Sequence, residues 1–235
     1  MDADHLSRRL ATVARYIPQG SRLADIGTDH AYLPVNLLKR GIIAGGVAGE
    51  VVRGPFENAQ HEIQREGFSD RLTARLANGL QAIEPGDHVD TVAIAGMGGT
   101  LITNILTQDF DRLAGVTRLV LQPNVSANQI RQFLMTHGFK LVAEEILAED
   151  GHIYEVLVAD RTTETVSYTA DELRFGPFLL AAPNDAFIAK WQHEAQRTRE
   201  VLQQMQGAKQ VPTAKVAALT AELHQIEEVL AHARA

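Results

Sequence analysis

Between Arg22 and His137, apolar runs of strand length take turns with segments of helical period, and that alternation leaves few folds open. Arg22 to Ile26, Ile42 to Glu50, Leu72 to Ala77, Val89 to Ala95 and Arg118 to Gln122 read as strands. Helices are expected through Lys39, through Arg65, after Gly98 and from Ser126 to His137. Strands separated by helices return parallel to one another, so this stretch predicts an α/β fold: an open parallel sheet with helices on both faces. The pattern then breaks. Phe139 to Ile146 and His152 to Ala159 are both strand-like, and the short Glu149-Asp150-Gly151 segment between them makes an antiparallel hairpin. The sheet is therefore expected to have seven strands, preceded by an amphipathic helix carried by Leu6, Leu10, Val13, Ala14 and Ile17 and stopped by Pro18 and Gly20.

At 235 residues the chain has room for one domain and a smaller appendage, and we place the boundary at 160/161. Residues 1–160 are expected to form the sheet domain. Thr162-Thr163-Glu164-Thr165 reads as a connector to residues 161–235. There Val216, Leu219, Leu223, Ile226 and Leu230 step by three and four, the seam of a coiled coil, facing a looser stripe of Phe187, Trp191, Thr198, Leu202 and Met205. Gly207 to Pro212 can turn the chain back, giving an antiparallel helical hairpin closed over Leu173, Phe175 and Phe178. The stripes suit internal packing better than a dimer seam, so a monomer is expected. Cysteine is absent, which excludes disulfides, thiolate metal sites and cysteine nucleophiles. The acidic N-terminus lacks the basic and apolar regions of a signal peptide, and no apolar run is long enough to span a bilayer; a cytoplasmic protein without a membrane anchor is expected. No His and carboxylate spacing suggests a metal site.

A net charge of -7 argues against a general polyanion binder. The excess acid is concentrated in residues 76–160, so any nucleic-acid surface is sought among Arg8, Arg9, Arg15, Lys39, Arg40 and Arg53, or on the C-terminal piece.

The most informative stretch, Leu23-Ala24-Asp25-Ile26-Gly27-Thr28-Asp29-His30-Ala31-Tyr32-Leu33-Pro34, joins the first strand to the next helix. Such a strand, glycine turn and helix is where open α/β sheets present backbone N–H groups to a ligand. Against the dinucleotide pattern G-x-G-x-x-G, Asp29 and Tyr32 stand where the second and third glycines belong. A diphosphate would meet a carboxylate there; a cationic ligand would meet no such obstacle. S-adenosylmethionine is one, with its sulfonium and its ammonium-bearing tail. Asp25 can hold the ammonium side, Gly27 allows close backbone approach, and Thr28 and Asp29 complete the turn. Glu50, ending the second strand, can accept both hydroxyls of a ribose. Asn78-Gly79 ends the third strand with an amide and a backbone N–H for an adenine edge, and Ala95-Gly96-Met97-Gly98-Gly99 ends the fourth. Each group alone also reads as a helix cap, a solvated strand end or a flexible turn. Together they mark one crevice at the C-terminal ends of four strands.

These runs, with Leu121-Gln122-Pro123-Asn124, resemble the bacterial TrmK family, which methylates N1 of adenine 22 in tRNA. The likeness covers residues 1 to about 160 and extends to Phe175-Gly176-Pro177-Phe178 and the helical hairpin. The run from Asp25 to Pro34 is specific, because ordinary methyltransferases place glycine where Asp29 stands. One departure is Asn78, where such enzymes usually carry Asp; an Asn carbonyl can also accept the adenine amino group. The resemblance implies a Rossmann-like class I methyltransferase domain using S-adenosylmethionine, with tRNA as partner. Because the methylated base is cationic, a carboxylate beside it would stabilise the developing charge: Asp29 is the catalytic candidate, with His30 as a second polar group that positions the base, or else a hydrogen bonder at the helix start. Tyr32 or Met97 would pack on the extruded base or equally belong to the core, and Gln122, Pro123 and Asn124 would complete the wall or equally form a structural turn. Arg174, Lys190, Arg197, Arg199, Lys209 and Lys215 would offer phosphate contacts on the hairpin. A methyltransferase for another RNA or a small metabolite, and a non-catalytic S-adenosylmethionine-binding protein, stand as the alternatives.

Overall fold

The computed structural model describes residues 2–206 and 213–233. Its elements run α1 (Arg8–Arg15), β1 (Arg22–Ile26), α2 (Tyr32–Lys39), β2 (Gly45–Glu50), α3 (Arg53–Arg65), β3 (Leu72–Leu76), β4 (Thr91–Gly98), α4 (Gly99–Gln108), β5 (Arg118–Val125), α5 (Ala127–Thr136), β6 (Phe139–Glu149), β7 (His152–Arg161), α6 (Ala170–Phe175), α7 (Pro177–Ala181), α8 (Asp185–Gln206) and α9 (Thr213–His232). The strands form one seven-stranded sheet in the order β3-β2-β1-β4-β5-β7-β6. β1 to β5 are parallel, and β7 runs antiparallel to both β5 and β6. Adjacent residues of a strand point to opposite faces, and both faces are covered: Ala24, Ile94 and Leu121 enter one apolar cluster, while Leu23, Ala93 and Val120 enter the other. The order reverses between β1 and β4, so a crevice opens at the C-terminal ends of those two strands.

Several strand ends differ from the sequence expectation: β3 stops at Leu76, β4 starts at Thr91, and β6 and β7 run on to Glu149 and Arg161. β2 starts at Gly45 instead of Ile42, because Gly41 (φ +66°) and Ile42 close α2: their N–H groups donate to Leu38 O and Leu37 O, the paired bonds that end a helix through a left-handed residue. β4 continues to Gly98 and β5 to Val125, beyond Ala95 and Gln122. Gly96, at φ +80°, absorbs a bulge, and pairing resumes at Met97 with Pro123.

The helical hairpin packs on the far edge of the sheet. Phe175, Leu179, Phe187, Trp191, Ala195, Ile226 and Leu230 form a third apolar cluster that includes Ile146 of β6. Phe175 meets Trp191 edge-on with ring centroids 4.4 Å apart. Phe178, expected in this core, is instead 40% exposed; Pro177 begins a new short helix that turns Leu179 inward in its place. In the seam, Ile226 and Leu230 are buried, whereas Val216, Leu219 and Leu223 are half-buried. The turn expected at Gly207 to Pro212, with Lys209, lies outside the described residues.

A buried ionic cluster joins the sheet to this hairpin. Arg131 of α5 is fully buried and donates to Glu144 of β6 and Glu155 of β7, both at 2.6 Å, and to the carbonyls of Leu173 and Arg174. Lys190 of α8 pairs with Glu155, and Glu144 accepts the N–H of Phe178 at 3.1 Å. Burial raises the carboxyl of Glu144 above its usual range. Burial also acts on Glu155, but Arg131 and Lys190 outweigh it and hold that carboxyl low.

Candidate functional site

β1 ends in a turn anchored to its neighbour, since the N–H groups of Gly27 and Thr28 both donate to Gly49 O at 2.8 and 3.1 Å. Gly27 is left-handed at φ +73°, and an added Cβ would lie 1.9 Å from the Met97 methyl, so the turns after β1 and β4 are in direct contact. His30 and Ala31 are also left-handed, at φ +59° and +54°. Two successive non-glycine residues in that region store strain of order 1 kcal/mol or more each, and α2 starts abruptly behind them.

Asp25 is 6% exposed and Thr28 2% exposed. Burial raises the Asp25 carboxyl to about 6, helped by the charges of Asp29 and Glu50; Thr28 offsets part of this without reaching hydrogen-bond geometry. Thr28 Oγ1 is accordingly buried with no partner among the described residues. Asp29 is exposed and bonded to Nδ1 of His30, whose Nε2 lies 3.2 Å from Nδ2 of Asn58 and whose ring stacks on Tyr32 at 5.2 Å. With Asn58 in this orientation, Nδ1 donates to Asp29 and Nε2 accepts from Asn58. Glu50 turns Oε1 back onto the N–H groups of Val51 and Val52, both at 2.8 Å, leaving Oε2 free of protein partners among the described residues.

Asn78 is exposed just past β3, and Gly79 adopts φ +54° as the chain turns toward Ile105. Ala95, Gly96 and Met97 form the bulged end of β4. The β5 residues brace that bulge from behind. Gln122 is fully buried; its Oε1 accepts from Gly96 N at 2.9 Å and from Arg9 at 2.5 Å, and its Nε2 donates to Asn124 Oδ1 at 3.3 Å. Asn124 in turn donates to Gly96 O at 2.9 Å. Pro123 is buried between them.

The strand-end candidates thus share one edge. Register places Gly49 beside Ile26, Ile26 beside Ile94 and Ala95 beside Gln122. Arg9, Asn58 and Tyr154 join them without a motif to announce them, because they arrive from α1, α3 and β7. The crevice holds three carboxylates, Asp25, Asp29 and Glu50, with no Lys or Arg salt bridge to any of them among the described residues. A buried carboxylate and an orphaned buried hydroxyl fit a ligand that brings an ammonium and hydroxyl donors; they do not fit a diphosphate. Among the described residues, no group of three or more metal-binding side chains comes together, and no helix is long and apolar enough to cross a membrane.

Comparison with known proteins follows the same lines. Residues 23–228 match the family described as TrmK, tRNA (adenine(22)-N(1))-methyltransferase. The chain is 40% identical to the tRNA (adenine(22)-N(1))-methyltransferase of Bacillus subtilis, over 97% of this chain and 98% of that one. It superposes on the crystal structure of the B. subtilis m1A22 tRNA methyltransferase with a TM-score of 0.90 at 38% identity, covering 97% and 99% of the two chains. It superposes on Sp1610 of Streptococcus pneumoniae, in complex with S-adenosyl-L-methionine, with a TM-score of 0.88 at 41% identity, covering 96% and 100%.

Proposed function

Because the chain belongs to the TrmK family of tRNA (adenine(22)-N(1))-methyltransferases, we propose that its strand-end crevice is where a methyl group passes from S-adenosylmethionine to N1 of an adenine in tRNA. The observation that carries this reading is the buried Asp25 beside the partnerless Thr28 hydroxyl, a site prepared for a cationic ligand. S-adenosylmethionine supplies a methyl on a cationic sulfur, which keeps the bonding electron pair as the N1 lone pair forms the new bond. Asp25 and Thr28 hold the ammonium end of the ligand. Glu50 accepts from the ribose through Oε2, and Asn78 with the Gly79 N–H meets the adenine edge. Gly27 and the Ala95-Gly96-Met97 bulge keep backbone close to the ligand and the base.

Adenine N1 needs no general base, since its lone pair is available, so the residues around it act mainly by placement. The product carries positive charge. In this reading Asp29 is the carboxylate that stabilises that charge as it develops, and His30, held on Nδ1 by Asp29 and on Nε2 by Asn58, keeps the geometry. Tyr32 packs on the base, and Gln122, Pro123 and Asn124 keep the bulge in shape behind it. Asp29→Asn is expected to cut kcat by at least tenfold while S-adenosylmethionine affinity changes less than threefold, effects of about 1.4 and 0.6 kcal/mol. A defect confined to affinity, read by calorimetry alongside single-turnover rates, would remove Asp29 from the chemical step.

The titration of Asp25 gives a second test. Below pH about 6 its carboxyl is protonated in the free protein, and a cationic ligand must displace that proton. Affinity for S-adenosylmethionine is expected to fall about tenfold between pH 7 and 5, with proton release on binding in the acid range. Asp25→Asn binds weakly at every pH and loses this dependence. A flat wild-type profile would contradict the ammonium assignment.

RNA is gripped beyond the crevice. The end of β5 (Pro123, Asn124) and Ser126 after it line a cleft of about 810 Å³ that runs to the hairpin at Trp191 and Arg197. Of the hairpin cations, Arg174, Lys190 and Arg199 are paired with Glu222, Glu155 and Glu227, which leaves Arg197 and Lys215 for phosphates among the described residues. In this reading residues 1–160 carry out the transfer and residues 161–235 steady the tRNA, in a cytoplasmic monomer.

A further inference from the structure

The six N-terminal cations singled out for a nucleic-acid surface are not equivalent. Arg15 is neutralised by Glu145, Lys39 by Asp4 and Glu66, and Arg53 lies 3.7 Å from Glu57. Arg8 donates to the Ala148 carbonyl and Arg40 to the Asn36 amide, both away from the crevice. Arg9 alone reaches the strand ends. Its guanidinium donates to the neutral Oε1 of Gln122, lies 5.4 Å from the Tyr154 ring centroid, and comes so near Gly96 that an added Cβ there would be 3.4 Å from Nη1. No carboxylate lies within 4 Å of it among the described residues.

That position is costly unless it is used. A guanidinium has five N–H groups, and among the described residues this one spends one of them on protein while two elements hold it in place. Glu149 accepts the Arg9 backbone N–H at 3.0 Å and so fixes the first turn of α1; Tyr154 covers the guanidinium face. The remaining donors stand beside Gly96, the residue whose turn borders both Met97 and the β5 wall. A planar, pre-oriented cation with free donors suits a phosphodiester oxygen pair. It does not suit the methylated base, whose developing positive charge it would oppose.

We propose that Arg9 grips the phosphodiester of the nucleotide whose base is methylated, so that the base is delivered to the crevice from the Gly96 side. This rests on the tRNA methyltransferase reading above. Arg9 is a substrate-positioning residue, and it separates the cation that holds the backbone from the carboxylates that meet the ligand and the base.

The test uses the full-length protein, unmodified transcript of a tRNA carrying A22, and S-adenosylmethionine. Arg9→Gln is expected to raise the Kd and KM for tRNA roughly ten- to hundredfold, with the larger part of the loss in KM and a smaller part in kcat. The slope of log affinity against log salt becomes shallower by about 0.7 to 0.9, the signature of one lost phosphate contact. Arg9→Lys keeps the charge, and its salt slope stays at the wild-type value while affinity falls less. If Arg9 merely struts the Gly96 bulge, Arg9→Gln loses S-adenosylmethionine affinity together with RNA affinity and keeps the wild-type salt slope; that result overturns the proposal. Wild-type protein is the control. Its failure to methylate N1 of the tRNA adenine overturns the parent reading and this contact with it, whereas an active wild type with an unaltered slope in Arg9→Gln overturns the contact alone.

Discussion

Replacing Glu50 by alanine raises the Kd for S-adenosylmethionine by roughly ten- to 150-fold, the equivalent of about 1.5 to 3 kcal/mol for a charge-assisted contact. The magnitude follows from how the carboxylate is held. Oε1 is fixed by two backbone N–H groups at the start of α3, so the side chain is oriented before the ligand arrives and loses little freedom on binding. Oε2, without a protein partner among the described residues, is the oxygen that a ribose hydroxyl meets. Glu50→Gln keeps an acceptor and removes the charge, and its loss is expected to be intermediate. Calorimetry on the three proteins reads this directly; an alanine variant within twofold of wild type would show that the ribose binds elsewhere.

Arg131→Met is expected to lower folding stability by about 3 to 5 kcal/mol, because it strands the buried carboxylate of Glu144 and takes one of two cations from that of Glu155. For a chain of this size that corresponds to a fall of roughly 6 to 20 °C in Tm. The sign of its pH dependence is fixed by Glu144. Burial already raises that carboxyl, and without Arg131 it protonates more readily still, so the defect of the variant shrinks as pH falls and grows as pH rises. Lys190 continues to neutralise Glu155, which keeps the loss below that of two bare charges. Replacing Arg131, Glu144 and Glu155 together by Met, Leu and Leu restores much of the stability. Thermal unfolding of the variants at pH 5.5 and 8 checks each step; a single-variant loss below about 1 kcal/mol would mean that water reaches the cluster.

The same cluster shows where the sequence stops being legible. Strands and helices from Arg22 to His137 announce themselves by period, because each residue's partner in the pattern lies two to four positions away. Asp25, Gly27 and Glu50 were readable for a related reason, since an open parallel sheet forces its ligand to the ends of its strands wherever those strands end. Arg131 had no such marker. Its partners lie on β6, β7 and α6, and a lone arginine in an amphipathic helix looks the same whether it faces water or a buried carboxylate. Arg9 was legible as a cation but not as a crevice residue, for Gln122 is 113 positions away. Phe178 misled because hydrophobicity marks what can be buried, and Pro177 decided which neighbour was. At Ile42 the apolar run was real; the left-handed Gly41 used it to end a helix before the strand began.

The most direct measurement incubates the purified protein with unmodified tRNA and S-adenosylmethionine bearing a labelled methyl group, then digests the RNA and identifies the labelled nucleoside by mass spectrometry. The expected product is N1-methyladenosine, absent when the tRNA carries another base at that adenine and absent when NAD replaces the methyl donor. Label recovered on a different nucleoside, or S-adenosylmethionine bound without any transfer, would contradict the assignment of this crevice.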